Sequence, residues 1–264
     1  MAVDYDGAFA EVVLSRWNET SDEQKRAAQS SDRKGQLKPD DPESFALYDT
    51  YCYQRGHADV FREVYKKAHS FPSRKSERLL VVDIGAGAAT VAVALSEALG
   101  RSKRERVEYR GFDPHPMMRK LGKQMLKQLC IDFRSAKYVT SLDTLEFARN
   151  DRVLFTFSYV AHQGAVALAD IEEWSRLIRR AVNDVDRAVE LIYTTIGSTP
   201  ASLPENAFLK LKRMLKTASV RKKQRPIDVQ VPQRFPVLGG HSPMCWDDKS
   251  RLWYIRAEHW ILRK

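Results

Sequence analysis

Residues 79–90 read LLVVDIGAGAAT, an apolar run that ends in an acid and then alternates glycine with alanine before a helical pattern begins. This order constrains the chain more than any other stretch. A short apolar run closed by a turn signal reads as a buried strand, and glycine at its exit gives the backbone conformations closed to other residues. A tight turn needs only one glycine, and a buried structural strand needs no carboxylate at its end. Asp83 followed by Gly85 and Gly87 therefore predicts that a ligand approaches the backbone here. The carboxyl ends of strands are where open α/β sheets bind their ligands.

Around this stretch, helical and strand-like patterns alternate, which predicts an α/β fold with a mostly parallel sheet. Strands are expected at 79–83, 107–112, 133–139, 152–158 and 187–195, with two more in the tail at 227–231 and 252–262. In the last of these, Trp253, Ile255, Ala257 and Ile261 share one face, as in a half-buried antiparallel strand. Helices are expected at 88–99 (closed by Gly100 as a C-cap), 116–129, 142–149, 170–183 and 204–218. Upstream, Phe9, Val12, Val13 and Trp17 are spaced like one helical face. Residues 18–45 are polar and read as a mobile connection with a short helix around 21–29. A longer helical region follows from Phe45 to Ala68, with a split expected at Gly56. The division drawn is an N-terminal helical extension over 1–75 and one sheet domain over 76–264.

Composition narrows the class. The chain has 264 residues, 43% of them hydrophobic, enough for one sizeable core. Its apolar runs are too short for a membrane span, and its first residues lack the basic start of a secretory signal. Cys52, Cys130 and Cys245 form no CxxC pair, which points to a reducing cytoplasm and gives no metal site. A net charge of +10 favours polyanionic partners.

The ligand is constrained by charge. A dinucleotide site places pyrophosphate at a glycine turn and helix N-terminus, and an acid before the first glycine would repel it. An ammonium-bearing ligand without phosphate suits Asp83 better, and S-adenosylmethionine is such a ligand. About thirty residues on, the second strand ends in GFDPHPMM, where Asp113 can accept hydrogen bonds from both hydroxyls of a ribose.

VVDIGAGAA followed by GFDPHPMM resembles the class I S-adenosylmethionine-dependent methyltransferases over roughly residues 78–195. The resemblance implies a Rossmann-like, seven-stranded, mostly parallel sheet with an antiparallel last strand, plus the N-terminal helical extension. It implies S-adenosyl-L-methionine as cofactor. Asp83, Gly85, Ala86 and Gly87 would line the methionine side, Asp113 with Pro114 the ribose, and Met117 and Met118 the adenine. Ser141 and Leu142 after the third strand and Ser158 at the end of the fourth would complete the site. Ala89 stands where the family often has a third glycine. An NAD-dependent oxidoreductase shares the strand–glycine–helix logic but not the acid or the Asp-Pro-x-Pro-x-Met stretch.

The acceptor end reads FSYVAHQ at 157–163. It lacks the Asn/Asp-Pro-Pro-aromatic motif of adenine amino-methylation. It also lacks the positioned thiolate that cytosine C5 chemistry needs, and the acid that a metal-dependent catechol site expects after strand four. His162 is the candidate general base, since an imidazole titrates near neutrality, and Tyr159 the candidate to stack on a planar acceptor. Lys212, Arg213, Arg221, Lys222 and Lys223 lie in a basic helix and the loop expected to follow it, a phosphate-gripping segment for RNA or a ribonucleoprotein. A small-molecule acceptor and a scaffold that binds without turnover stay open beside it, and no oligomeric state is indicated.

Overall fold

The computed structural model describes residues 4–33, 41–68, 76–158, 167–185, 188–194, 207–216, 221–232 and 252–263. Seven strands form one sheet in the order β3-β2-β1-β4-β5-β7-β6. They are β1 (Leu79–Ile84), β2 (Val107–Phe112), β3 (Ser135–Val139), β4 (Arg152–Ser158), β5 (Ala188–Thr194), β6 (Arg221–Pro232) and β7 (Leu252–Arg263). The pairs among β1 to β5 are parallel, and β7 runs antiparallel to both β5 and β6. The expected architecture is therefore present.

Helices cover both faces. One face of the sheet, carrying Leu79, Val81, Tyr109, Leu154 and Ala257, packs into a single apolar cluster with three helices. These are α4 (Pro42–Ala68), α5 (Thr90–Ala98) and α7 (Pro116–Gln128). The other face, with Val82, Ile84, Phe155, Leu191 and Trp260, packs against α8 (Leu168–Asp184) and α9 (Ala207–Lys216). A short helix α6 (Arg101–Arg104) links α5 to β2. Near the N-terminus lie α1 (Tyr5–Phe9), a π turn (Ala10–Leu14), α2 (Ser15–Glu19) and α3 (Asp22–Arg33). Among the described residues, no helix is long and apolar enough to cross a membrane.

Several expected boundaries move, each for a local reason. α3 is longer than the short helix expected, and it starts at a capping box. The Ser21 hydroxyl accepts from Gln24 N–H at 3.2 Å, and the Gln24 side chain accepts from Ser21 N–H at 3.2 Å. α4 begins at Pro42 rather than Phe45 because Asp41 caps it, accepting from Ser44 N–H at 3.0 Å. Those bonds hold the Asp41 carboxyl below its ordinary range. Gly56 does not split α4, since fifteen buried residues fasten the helix to the core and outweigh one glycine's cost of about 1 kcal/mol. Gly100 has φ −65°, so it is no left-handed cap. β7 is an interior strand, with Ala257 buried on one face and Trp260 and Leu262 on the other, rather than half-exposed.

Two corrections bear on function. Residues 142–149 form no helix and cross from β3 to β4 as an irregular loop. Residues 221–225 are not a loop after a basic helix but the first part of β6, paired with β7 from Arg221↔Arg263 onward.

Candidate active site

The glycine turn leaves β1 with Gly85 at φ 71°, Gly87 at φ 51° and Ala89 at φ 69°. Positive φ costs glycine little, whereas alanine in this region carries about 1–2 kcal/mol of strain. The turn is bound to the end of β2: Gly85 and Ala86 N–H both donate to the Phe112 carbonyl, at 2.8 and 2.9 Å. Gly87 N–H donates to Asp113 Oδ2 at 2.9 Å, and His115 N–H donates to Oδ1 at 2.8 Å. The two motifs picked out in the sequence are thus joined directly, with each Asp113 oxygen fixed by one backbone amide. Arg119 donates to the carbonyls of Asp113 and Pro114, which closes the far side of this strand exit.

Two side chains hold the turn from behind. The Tyr138 hydroxyl donates to the Gly87 carbonyl at 2.7 Å, and the Gln54 amide donates to the Ala88 carbonyl. Gln54 in turn accepts from the Tyr5 hydroxyl at 3.2 Å, which ties α1 and α4 to the turn. A Cβ at Gly111 would lie 3.1 Å from both the Ala86 and Tyr138 side chains, so that glycine lets turn and ring close over the end of β2. A Cβ at Gly87 would meet nothing within 4 Å: that side of the turn is open.

Asp83 lies beneath the turn with no exposed surface. Its oxygens accept from Tyr109 Oη at 2.7 Å and from Thr156 Oγ1 at 2.7 Å. Burial pushes its carboxyl up to about 7, against the lowering effect of those two hydrogen bonds, and the charge of Asp113 adds to the rise. Asp113 is also raised by burial, opposed by the two amides that bind it. Burial and the Asp83 charge push the Tyr109 phenol well above its ordinary value. Two desolvated carboxylates under and beside an open glycine turn make a site that favours positive charge and disfavours phosphate.

Not every predicted residue converges here. Asp83, Gly85, Ala86, Gly87 and Asp113 do, and Pro114 follows exposed on the rim. Met118 is buried in the core with the Thr50 hydroxyl 4.0 Å from its sulfur, and Met117 packs partly buried against the same cluster. The Ser141 hydroxyl accepts from Asp143 N–H at 3.2 Å, and Leu142 is wholly buried in the opposite cluster. Ser158 is the last residue of β4. Tyr159 and His162 lie outside the described residues.

The basic segment is divided. The Lys212 ammonium sits 5.4 Å from the Trp260 ring centre and 3.4 Å from Glu258, and Arg213 is exposed on α9. Arg221, Lys222 and Lys223 open β6, four strands from β1, roughly 19 Å across the sheet at ordinary strand spacing. Lys222 pairs with Leu262, and Leu262 with Val189 near the start of β5. The glycine turn follows a strand end, so these residues lie towards the opposite end of the sheet.

The sequence reading missed Tyr109, Tyr138, Thr156 and Gln54. One signal for Tyr138 was present, namely a glycine inside a helical pattern. A Cβ at Gly122 in α7 would fall 2.0 Å from the Tyr138 hydroxyl.

No family model matches the sequence, and no curated protein matches it. Solved structures similar to this chain include a SAM dependent methyltransferase from Aquifex aeolicus, at 15% identity, covering 84% of this chain and 98% of that one, with a TM-score of 0.48. Another is magnesium protoporphyrin IX methyltransferase from Synechocystis with bound SAM, at 16% identity, 93% and 99% coverage and a TM-score of 0.45. A third is precorrin-6y C5,15-methyltransferase from Geobacter metallireducens, at 15% identity, 77% and 88% coverage and a TM-score of 0.46. The likeness is one of fold, and at these scores nothing about activity carries across from it.

Proposed function

We propose that the chain is an S-adenosylmethionine-dependent methyltransferase. The observation that carries this reading is the union of the two strand ends: Gly87 N–H on Asp113, with open space on the glycine's free side. Each Asp113 oxygen uses one lone-pair site on a backbone amide and keeps another, enough for the two hydroxyls of a ribose. The backbone of Gly85 to Gly87 would line the methionine portion. Asp83, sealed by Tyr109 and Thr156, would act on a cationic ligand through its field rather than by contact. When bound, the cofactor supplies an electrophilic methyl group on a sulfonium. The chain's own part is to align the acceptor and exclude water. His162 as base and Tyr159 as stacking partner belong to this proposal.

For the acceptor, the reading extends to RNA or another polyanion, supported by the net charge of +10. A small-molecule acceptor has a specific observation in its favour: Arg221 to Lys223 stand away from the glycine turn. Calorimetry should give binding of S-adenosylhomocysteine and none of NAD. Absence of S-adenosylhomocysteine binding by the full chain would end the methyltransferase reading. Label transfer from S-adenosylmethionine onto RNA, protein and metabolite fractions then separates the acceptors. If RNA is gripped by the start of β6, replacing Arg221, Lys222 and Lys223 with alanine flattens the salt dependence of RNA binding. Unchanged slopes together with no label on RNA would remove the polyanion reading.

A further inference from the structure

The loop that replaces a helix between β3 and β4 has a single anchor. Arg180, on α8, reaches across and donates to three successive turns of backbone. Its Nη2 lies 3.0 Å from the Leu145 carbonyl and 3.4 Å from those of Leu142 and Asp143, and its Nη1 lies 3.4 Å from the Asp143 carbonyl. The guanidinium carbon sits 5.3 Å from the centre of the Phe147 ring. Phe147 is buried against Phe155 of β4, so the contact fixes the loop to the sheet as well as to α8. Leu142 and Leu145 are buried on either side of the clamp. A planar, five-donor cation is suited to this task, since it can serve several carbonyls in one plane while stacking on an aromatic face.

The loop's position gives the clamp its meaning. Strand order places β1, β2 and β3 side by side, so their exits are the glycine turn, Asp113 and residues 140–147 in sequence across one edge of the sheet. A nucleoside whose ribose sits on Asp113 and whose other end lies along the glycine turn must direct its base towards the β3 exit. There it meets backbone whose course Arg180 sets. An α-helix would be held in shape by its own hydrogen bonds, whereas this loop has few: Leu145 N–H to the Leu142 carbonyl at 3.3 Å, and Thr144 Oγ1 to the Ser141 carbonyl at 2.9 Å.

We propose that Arg180 is a positioning residue for the adenine end of the cofactor site, fixing the 141–147 loop against which the base is read. The proposal rests on the methyltransferase reading given above. It distinguishes Arg180 from a general stabiliser by which part of the ligand feels its loss.

The test compares S-adenosylhomocysteine with S-ribosylhomocysteine, which lacks the adenine, on the full chain and on Arg180→Ala. Titration should show S-adenosylhomocysteine weakened about tenfold, the scale of losing hydrogen bonds from a charged group, with S-ribosylhomocysteine unchanged. Arg180→Lys keeps a cation over Phe147 but offers its donors from one point. It should fold and show an intermediate loss, and it serves in place of Arg180→Ala if that variant does not fold. Equal weakening of both ligands, or wild-type affinity for S-adenosylhomocysteine in a folded variant, overturns the role of Arg180. Failure of the wild-type chain to bind S-adenosylhomocysteine overturns the cofactor reading, and this inference with it.

Discussion

Gly87 and Ala89 share a left-handed backbone, yet their surroundings differ. Ala89 is fully buried, whereas a methyl group on Gly87 would project into the open side of the turn. The chain already accommodates alanine at φ 69°, so Gly87→Ala should fold at a cost of about 1 kcal/mol. It should nevertheless lose S-adenosylhomocysteine affinity, because the methyl occupies the ligand's approach. A folded variant that binds normally would show that the ligand does not lie on this side. Asp113→Ala should weaken the same binding by about 1–3 kcal/mol, the cost of losing a charged hydrogen-bond partner, with Asp113→Asn milder. Asp83 makes a different prediction. Its carboxyl is raised to about 7 in the fold, so the native state holds a proton that the unfolded chain releases near 3.8. The stability this contributes is fully present below about 3.8 and is lost as pH rises through about 7, on the order of a few kcal/mol in all. Melting temperatures measured between pH 5 and 8 should therefore fall with pH in the wild type, and Asp83→Asn should flatten that slope. At this scale the sequence was legible where chemistry is local. Asp83, the glycines and Asp113 declare themselves by order along the chain. Tyr138 and Gln54 do not, because they act on carbonyls 51 and 34 residues away, and only tertiary packing brings them there.

Among the elements, α7 and β3 meet through one contact that a propensity argument gets backwards. Gly122 lies inside α7, where alanine would ordinarily stabilise by about 1 kcal/mol. Here the added Cβ would fall 2.0 Å from the Tyr138 hydroxyl and 2.3 Å from its ring carbon, so the ring must move off the Gly87 carbonyl. Gly122→Ala should therefore lower stability, by about 1–3 kcal/mol for an overpacked site. It should also weaken S-adenosylhomocysteine binding, although it touches no ligand. A rise in melting temperature would show that packing there yields freely. Most elements were legible from periodicity, and β2 and β4 fall where expected. The helix expected at 142–149 fails because Leu142, Leu145 and Phe147 are buried for reasons of loop anchorage, and their spacing only imitates a helical face. β6 was underestimated because its first five residues carry charge rather than the apolar alternation that marks a strand.

For the molecule as a whole, the N-terminal helices belong to the main core. Tyr5, Val13 and Trp17 share one apolar cluster with Leu79 of β1 and Ala92 of α5. Trp17 stacks on Tyr51 with ring centres 5.5 Å apart, and Arg55 and Arg62 of α4 both pair with Glu97 of α5. A boundary at residue 75 separates helices from sheet without separating cores. A detachable lid would leave the rest of the chain melting as before. The shared core instead predicts that a chain beginning at residue 41 melts well below the full-length protein. Trp17→Ala alone should cost about 3–5 kcal/mol. Hydrophobic patterning marked the N-terminal helix from sequence, but patterning says that a face is buried and not what buries it.

The sheet ends in two edges, and the way each is finished bears on behaviour in solution. β3 is five residues long, while β6 runs for twelve and offers a full row of backbone donors and acceptors on its outer side. An open strand of that length is a template for pairing between molecules, and proteins blunt such templates with lysine, arginine and proline. β6 reads RKKQRPIDVQVP, with four basic residues in its first five positions and prolines at 226 and 232. The same charges read from sequence as a grip for phosphate thus have a second task, keeping neighbouring copies from adding strand to strand. Removing Arg221, Lys222 and Lys223 should raise light scattering at high protein concentration whether or not RNA is ever bound.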